Sequence, residues 1–398
     1  MSNVAIVVQR CHESIVGGSE AEAWQCANML KNRYQVEILT TSAADYITWA
    51  NEFPQGREER NGIAIRRFKV DNKRSLYWYK LHEKLLNSFN KANLQKAKST
   101  GKYNLIGWTL ALEDEFIRHQ GPYSKDLLNF LEASCDNYKA IIFFSYLYPT
   151  TYFGIFRTRK ELCLLYPTLH DEPTAYLLAY KYMAKRARKI LWNSEAEQRL
   201  GTSLWGKMPG RVIGMSISTR EFGHAHLGFP YVMYSGRIDI NKGCEDLIKY
   251  FLKYKKENPS ELKLVFTGKD ILILPTHPDI LFKGFVSEEE KFRLMAGASM
   301  FIMPSPYESF SVVTLEAMAQ RTPVLVNGAC EVLVDHVMQS GGGMIYRDYE
   351  SFSAALNELM SNQSWLSEMS SRAREYVVSR YGYHSIRKNL IEEIEACE

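Results

Sequence analysis

Two glutamates separated by seven residues, Glu308 and Glu316, lie in the part of this chain best suited to carry chemistry. The stretch from Pro304 to Ala319 lies between two short apolar runs, which predicts strand, loop, helix and strand of a parallel α/β sheet. We expect Ser309 to cap the helix, so that the first backbone N–H groups face out of the sheet edge and bind phosphate. The carboxylates can accept hydroxyl protons from sugars on either side of a phosphate. The stretch therefore predicts a site for a nucleotide-linked sugar.

Two cations next to glycines form a second candidate set. Arg237 follows Gly236, and Lys242 precedes Gly243. Fixed positive groups stabilise the charge that develops on a departing phosphate. Ordinary surface charge is the alternative, and the flanking glycines disfavour it.

Two further positions lie where the predicted strands of the first half end. Gly17 and Gly18 precede Ser19, which could cap the helix that follows. Taken alone, this glycine pair is typical of an ordinary strand-to-helix turn. The G-x-G-x-x-G spacing is absent, and the second strand ends without an acidic residue, so a hydride-transfer enzyme is disfavoured. His170 follows an apolar run, at the carboxyl end of a predicted strand, where α/β folds bind ligands.

The elements that must position these residues follow an alternating pattern. Short apolar runs alternate with helical stretches in both halves, which predicts doubly wound α/β domains. Glycine, histidine and proline interrupt residues 214–230, which predicts an interdomain hinge. Strands are expected at residues 4–8, 36–40, 64–68, 140–144, 162–166, 189–192, 231–235, 262–266, 280–282, 300–303, 323–326 and 344–346.

The composition agrees with a globular protein of two domains. The chain has 398 residues, of which 46% are hydrophobic and 24% charged. Its net charge of +4 is far from that of a nucleic-acid binder and suits a protein that handles anionic nucleotides and touches acidic lipid. Seven cysteines without a C-x-x-C pair predict free thiols in a reducing compartment. We expect no signal peptide and no membrane span, since no apolar run approaches ~18 residues.

In their order and spacing, these motifs resemble the retaining glycosyltransferases of the GT-B type, most closely family 4. Glu308 and Glu316 match the E-x7-E signature of that family, and Arg237 and Lys242 match its diphosphate clamp. The resemblance covers nearly the whole chain. Its weaker matches are Gly17–Glu20, His170, Leu264–Gly268 and Gly284–Ser287.

The resemblance implies a GT-B fold, in which two Rossmann-like doubly wound domains face each other across a cleft. We expect an acceptor-side domain at 1–213, the hinge at 214–230, a donor domain at 231–380, and a C-terminal helix at 381–398 that crosses back to the first domain. Family members work without a metal or a cofactor, and the sequence has no D-x-D motif and no clustered His/Cys ligands. The acidic run Glu113-Asp114-Glu115 is interpreted as a solvated loop or helix end.

The resemblance also implies roles for single residues. Arg237 and Lys242 stabilise the β-phosphate, and Glu316 accepts from the ribose diol. Glu308 faces the donor sugar as a nucleophile or as electrostatic support, and His170 lies near the same sugar. These assignments make Glu308, His170, Arg237 and Lys242 catalytic. The other donor-binding residues implied are Gly18, Gly268, Phe285, Val286, Ser309, Phe310 and Ser311, of which Phe285 and Val286 hold the base.

Two positions depart from the family pattern, and one aspartate has two possible roles. Ser311 and Arg321 stand where family members often have glycine, and Ser311 narrows the space near the phosphate. Asp171 could act as a base for an acceptor hydroxyl, but a cap for the following residues is favoured.

A basic and aromatic stretch concerns the acceptor. It begins at Lys73–Lys80 and continues through Lys84, Lys91, Lys96 and Lys98. Such a helix can lie on an anionic membrane surface, or it can be a solvated helix with a packed aromatic face, and the sequence leaves both open.

We therefore predict a cytoplasmic, metal-independent, retaining glycosyltransferase, acting at the inner face of the membrane. It would move a hexose from a UDP-sugar such as UDP-glucose to a hydroxyl of a glycan or polyprenyl-diphosphate-linked acceptor in cell-surface polysaccharide synthesis. The alternatives are a GT-B relative, such as a sucrose-type synthase or a sugar epimerase, and a nucleotide-sugar-binding module without catalysis. Slow donor hydrolysis without an acceptor would distinguish an enzyme from that module.

Overall fold

The chain forms two compact units in a computed structural model that describes residues 2–12, 15, 17–89 and 107–396. The first unit comprises Met1–Gly214 and Arg387–Glu398, and the second comprises Met215–Ile386. Lys91, Lys96 and Lys98 of the predicted basic stretch lie outside the described residues.

Helices and strands alternate through both units, as the apolar runs predict. The strands are β1 Asn3–Arg10, β2 Gln35–Thr41, β3 Gly56–Arg60, β4 Ile63–Phe68, β5 Ala140–Phe144, β6 Cys163–Tyr166, β7 Lys189–Trp192, β8 Gly210–Val212, β9 Tyr231–Ser235, β10 Lys263–Thr267, β11 Ile280–Phe282, β12 Met300–Met303, β13 Val324–Asn327 and β14 Gly343–Tyr346. The α-helices are α1 Gly18–Leu30, α2 Leu76–Ser88, α3 Leu110–Gln120, α4 Lys125–Ser134, α5 Pro149–Phe156, α6 Leu178–Arg186, α7 Glu195–Trp205, α8 Cys244–Glu257, α9 Glu288–Gly297, α10 Val312–Ala319, α11 Glu331–Ser340, α12 Tyr349–Ser361, α13 Gln363–Tyr381 and α14 Tyr383–Glu395.

The sheet of the first unit has the strand order β3-β4-β2-β1-β5-β6-β7-β8. Neighbouring strands are parallel except at one edge, where β3 pairs with β4 antiparallel. Strand β1 lies in the interior of the sheet, where Ile6 pairs with Ile38 on one side and Ile142 on the other. Residues 4–8 are fully buried, because helices cover both faces of a doubly wound sheet.

The sheet of the second unit has the order β11-β10-β9-β12-β13-β14, with all neighbours parallel. The order reverses between β9 and β12. At such a switch point the loops after two adjacent strands leave in opposite directions and open a crevice at the carboxyl edge. The prediction of two Rossmann-like doubly wound domains is confirmed.

The structure corrects the sequence interpretation at several places. The edge strand β3 and the short strand β8 were not expected. The acidic run at 113–115 lies within α3, and Glu113 is buried rather than solvated: its carboxylate accepts a hydrogen bond from the backbone N–H of Ala179 at 2.6 Å. Burial raises the pKa of Glu113.

The predicted hinge, residues 214–230, contains neither helix nor strand. Residues from Met215 belong to the second unit. The C-terminal helices α12, α13 and α14 are separated by breaks at Asn362 and Gly382. From Arg387 onward the chain belongs to the first unit, where Glu393 pairs with Lys189 at 2.5 Å. The change of unit therefore falls inside α14.

Among the described residues, we find no helix that is long and apolar enough to cross a membrane.

Candidate active site

Most of the predicted site residues lie on three loops at the carboxyl edge of the second unit's sheet. Residues 236–243 follow β9, Gly268 follows β10, and residues 304–311 follow β12. These strands are neighbours at the switch point, so the parallel topology brings the three loops to one edge.

Lys242 and Glu308 form an ion pair between the loop after β9 and the loop after β12. The Nζ atom of Lys242 lies 2.6 Å from Oε1 of Glu308, and the two side chains are 25% and 14% exposed. Gly243 permits this approach: its φ is +71°, and a Cβ there would lie 2.4 Å from the carbonyl oxygen of Pro304. A side chain at position 243 would push the two loops apart. The structure therefore brings together a cation and a carboxylate that are 66 residues apart in the chain.

Arg237 presents its guanidinium to solvent from the same loop after β9. Its side chain is 64% exposed, with Nε 3.9 Å from Oδ2 of Asp239. The backbone around it is held from two sides. The Tyr234 hydroxyl donates to the Arg237 carbonyl oxygen at 2.6 Å, and the Asp239 carboxylate accepts from the Lys242 backbone N–H at 2.9 Å. A loop with a fixed backbone and a mostly exposed guanidinium suits the binding of an anionic group.

Gly268 lets the ends of β9 and β10 approach each other closely. Its φ is +120°, and a Cβ there would lie 2.0 Å from the carbonyl oxygen of Gly236. Its N–H donates to the Gly284 carbonyl oxygen at 2.8 Å. Gly268 therefore has a structural role at this edge, and its donor-binding role stays a prediction.

The loop before α10 differs from its prediction. The helix begins at Val312, and its N-cap is Ser311 with φ +60° and ψ +62°, so the predicted cap at Ser309 is wrong. The Ser311 hydroxyl lies 2.8 Å from the Thr314 hydroxyl. The left-handed residue turns the chain sharply, so the first-turn N–H groups of α10 begin two residues later than expected.

Phe310 is predicted to bind the donor, but its side chain is only 2% exposed and packs into the second unit. Its backbone is the part that can contact a ligand at this edge. Ser309 is half-buried in the same loop.

Glu316 lies inside α10 and pairs with a cation that the sequence analysis missed. Its Oε2 atom is 2.7 Å from Nζ of Lys291, which belongs to α9, and the two side chains are 13% and 22% exposed. Burial raises the pKa of Glu316, and the Lys291 ammonium opposes that shift. No local spacing signals this pair, because the two residues lie on different helices.

Phe285 and Val286 lie in the turn between β11 and α9. Phe285 is 89% exposed, and Val286 is half-buried. An open pocket of about 460 Å³ is lined by Leu281, Phe282, Lys283, Phe285, Val286 and Glu290. An exposed aromatic ring beside such a pocket suits a flat ring such as a nucleobase.

Gly18 belongs to the first unit and begins α1. The N-cap is Gly17, in an extended conformation and without a side-chain cap, so the cap predicted at Ser19 is wrong. The Ser19 hydroxyl instead accepts from Gln9 Nε2 at 2.9 Å. A Cβ at Gly17 would lie 2.2 Å from the Glu20 carboxylate, whereas a Cβ at Gly18 would meet no atom within 4 Å. A side chain at position 17 would therefore displace the Glu20 carboxylate, which pairs with Arg10.

His170 is exposed on the loop that follows β6. Glu197 on α7 holds that loop, because its carboxylate accepts from the backbone N–H groups of Leu169 and Asn193. Burial raises the pKa of Glu197 to about 7. The Asp171 carboxylate accepts from the Tyr176 hydroxyl at 2.6 Å, and the N-cap of the short turn Pro173–Tyr176 is Glu172.

No group of three or more His, Cys, Asp or Glu side chains able to hold a metal ion occurs in the described parts of the chain.

Comparison with known families gives a match within the second unit. Residues 218–377 match the family of glycosyl transferases group 1. An uncharacterized glycosyltransferase of Methanocaldococcus jannaschii is 27% identical over 171 residues, which are 40% of this chain and 43% of that protein. The D-inositol 3-phosphate glycosyltransferase of Kineococcus radiotolerans is 26% identical over 242 residues, which are 51% and 56% of the two chains. The matched regions thus span about half the length of these relatives.

A solved structure extends the likeness to the whole chain. The Anabaena protein HepE in complex with UDP is 14% identical, with a TM-score of 0.71 and 100% of both chains covered. The same protein has also been solved with UDP-glucose, at a TM-score of 0.65. Such a likeness shows the fold. The GT-B fold and the resemblance to GT-B glycosyltransferases, both predicted from the motifs, are confirmed.

Proposed function

We propose, on the premise that residues 218–377 belong to the glycosyl transferases group 1 family in a chain of GT-B fold, that this protein is a retaining glycosyltransferase of the family 4 type. It moves a hexose from a UDP-sugar to a hydroxyl of a growing glycan, without a metal ion.

The two lysine–glutamate pairs carry this proposal. Lys242–Glu308 and Lys291–Glu316 are ion pairs of 2.6 and 2.7 Å, and their carboxylates lie just before α10 and within it. In the ligand-free protein each ammonium neutralises a carboxylate that is mostly shielded from water. An arriving diphosphate competes for the Lys242 ammonium, and this exchange frees the Glu308 carboxylate for hydroxyl groups of the sugar.

The reaction follows from this exchange of partners. The bond between the anomeric carbon of the sugar and the β-phosphate oxygen breaks, and the phosphate leaves with the electron pair. Arg237 and Lys242 stabilise the charge that develops on it. The acceptor oxygen bonds to the anomeric carbon from the same face, which retains configuration, and its proton passes to the departing phosphate oxygen. In this scheme Glu308 is electrostatic support.

The remaining predicted residues keep the roles implied by the family resemblance. Glu316 accepts from the ribose hydroxyls, and the turn with Phe285 and Val286 holds the base. The preference for UDP rests on the Anabaena protein, whose structures contain UDP and UDP-glucose. For His170 we propose contact with the donor sugar, so we expect His170→Ala to lower turnover while leaving UDP affinity unchanged.

An acceptor bound to a membrane lipid is supported by α2 of the first unit. Leu76, Tyr77 and Tyr79 are 83%, 44% and 48% exposed at its start, whereas Trp78 is buried. Exposed apolar and aromatic side chains beside lysines suit the interface of an anionic membrane. We propose that the protein works at the inner face of the membrane. Loss of co-sedimentation with anionic vesicles in a Leu76→Ser/Tyr77→Ser variant would support this placement, and unchanged co-sedimentation would contradict it.

The first test is thermal unfolding with a panel of nucleotides and nucleotide sugars in the presence of EDTA. A ligand at 100 times its Kd stabilises a protein by about 2.7 kcal/mol, which is easily measured. A shift with UDP and a larger shift with one UDP-sugar support the proposal, whereas a shift only with GDP or ADP compounds changes the donor. No shift with any nucleotide contradicts the proposal.

The second test is turnover of the donor identified in that panel. Hydrolysis without an acceptor identifies an enzyme rather than a binding module, and NMR of the glycosylated product gives the anomeric configuration. Transfer only to a small free sugar or sugar phosphate would favour a sucrose-type synthase over a glycan-extending enzyme.

A further inference from the structure

A buried cluster in the second unit connects the loop that carries Glu308 with the end of α13. Its side chains are Phe310 from the loop, His336 from α11, and Tyr376 and Tyr381 from α13. They are 2%, 2%, 9% and 0% exposed. The Phe310 ring packs edge-on against the rings of His336 and Tyr381, with centroids 5.8 and 5.2 Å apart.

Hydrogen bonds run through this cluster in one direction. The Nε2 atom of His336 lies 2.9 Å from the carbonyl oxygen of Phe310, and a carbonyl only accepts, so Nε2 carries the hydrogen. The neutral ring then has an acceptor at Nδ1, which lies 3.0 Å from the Tyr376 hydroxyl. The Tyr376 hydroxyl donates to that nitrogen, and it is 3.2 Å from the Tyr381 hydroxyl, which can donate to it in turn. Burial keeps the imidazole neutral, because it lowers the pKa of His336 to about 4.

The carbonyl held by His336 is at a sensitive point of the loop. Phe310 lies two residues after Glu308 and directly before Ser311, whose left-handed conformation starts α10. A residue other than glycine, asparagine or aspartate rarely adopts that conformation unless its surroundings enforce it. The bond to Phe310 fixes the peptide that leads into this turn, and with it the position of the Glu308 carboxylate beside Lys242.

We propose that His336 is a positioning residue of the candidate active site: through the Phe310 carbonyl it holds the Glu308–Ser311 loop in the arrangement in which Glu308 meets its partners. The catalytic consequence rests on the proposed glycosyl transfer. The loop-holding role does not, because it concerns the ligand-free protein. A histidine that served only to fill the core would affect global stability and leave this loop unchanged relative to the rest of the unit.

Four variants separate these roles. His336→Phe keeps a ring of similar size and removes both hydrogen bonds. His336→Gln keeps an amide N–H four bonds from Cα, as Nε2 is, and an acceptor beside it. Tyr376→Phe removes the donor to Nδ1 and leaves the Phe310 contact in place. Tyr254→Phe is the matched control, since Tyr254 is also buried in the second unit but donates to Asn357 at 3.0 Å, away from the loop.

The first measurement is amide hydrogen exchange of residues 307–314 in the ligand-free proteins. We expect His336→Phe to exchange there on the order of tenfold faster than wild type relative to β9 and β10, the factor expected when a buried carbonyl loses its donor. His336→Gln should restore most of the protection, and Tyr254→Phe should match wild type. A uniform change across the unit, or no change in 307–314, would overturn the proposal. If His336→Phe fails to fold, the same comparison is made with Tyr376→Phe, for which we expect a smaller increase confined to 307–314.

The second measurement is turnover and UDP affinity in the same variants. We expect His336→Phe to lower kcat about tenfold with little change in UDP affinity, and His336→Gln to recover most of kcat. Equal kcat in wild type and His336→Phe would refute the catalytic consequence. If wild type itself turns over no nucleotide sugar, the proposed function fails, and the exchange result still decides whether His336 holds the loop.

Discussion

Replacing Lys242 by methionine tests the candidate site most directly, because the same ammonium has a structural partner and a predicted ligand. Methionine keeps much of the aliphatic stem and removes the charge. As one fixed donor to a developing oxyanion, Lys242 should contribute about 2.7–4 kcal/mol to transition-state stabilisation. We therefore expect kcat to fall by ~10²–10³, with wild-type turnover of the donor as the reference.

The same change should also lower stability, by an amount that follows from the exposure of the pair. The Lys242 and Glu308 side chains are 25% and 14% exposed, so their pair lies between a surface ion pair, worth about 0–1 kcal/mol, and a buried one, whose disruption costs about 3–5 kcal/mol. A loss of about 2 kcal/mol corresponds to roughly 4–8 °C in Tm for a domain of this size.

A double variant separates the two effects. Lys242→Met/Glu308→Gln removes the carboxylate charge left without a partner, so Tm should return most of the way to wild type while turnover stays low. Lys253→Met is the control, because Lys253 and Glu257 form an exposed pair at 4.0 Å on α8 of the same unit. It should change Tm by about 2 °C or less and leave kcat unchanged.

The decisive result is turnover in the single variant, measured under donor saturation with UDP release as the signal. If Lys242→Met keeps kcat within about threefold of wild type while its Tm falls, the lysine serves the fold and not the phosphate. If turnover returns together with Tm in the double variant, the loss came from the unpaired carboxylate, and the phosphate-clamp reasoning is refuted.

Three further predictions follow from other contacts of the second unit. Lys291→Met leaves the mostly buried Glu316 carboxylate without its cation, so we expect UDP affinity measured by calorimetry to fall about 5- to 30-fold; unchanged affinity would remove Glu316 from the nucleotide site. Gly268→Ala combines a strained φ with a 2.0 Å clash against backbone and should destabilise by roughly 3 kcal/mol or more in urea unfolding. Gly284→Ala has φ +69° and open space, and should cost only about 1 kcal/mol; equal losses would contradict the close approach. His336 has its pKa lowered from 6.5 to about 4 in the folded protein, so between these values the unfolded chain binds more protons and stability falls as pH drops from 6.5 towards 4, by about 3 kcal/mol in all. Urea unfolding across that range should show the slope in wild type and a reduced slope in His336→Phe.

Local sequence was sufficient for the order of elements and for the loops that carry the candidate site. Short apolar runs with β-branched residues specify buried parallel strands, and the carboxyl edge of such a sheet is where ligands bind. For this reason the fold and the placement of Arg237, Lys242 and Glu308 at one edge could be predicted from the chain alone. The glycines beside the two cations were also informative, since Gly243 is required for the approach to Pro304.

Local sequence was not sufficient where a side chain's partner lies on another element. Ser309 satisfies the usual preference for a helix cap, yet the helix starts after Ser311, because the buried Phe310 and its bond to His336 determine how the chain enters α10. Glu113 has the composition of a solvated residue but is buried against the start of α6.

The sequence by itself thus determined the α/β class, the strand order along the chain and the cations and carboxylates available to a nucleotide-sugar site. Only the tertiary structure decided that Glu308 pairs with Lys242 and that Glu316 pairs with Lys291. The same holds for the contact of His336 with the Glu308–Ser311 loop. The physical reason is that backbone preferences act over a few neighbouring residues. The partner of a charged or polar side chain is instead set by which loops and helices the packed sheet brings within about 3 Å.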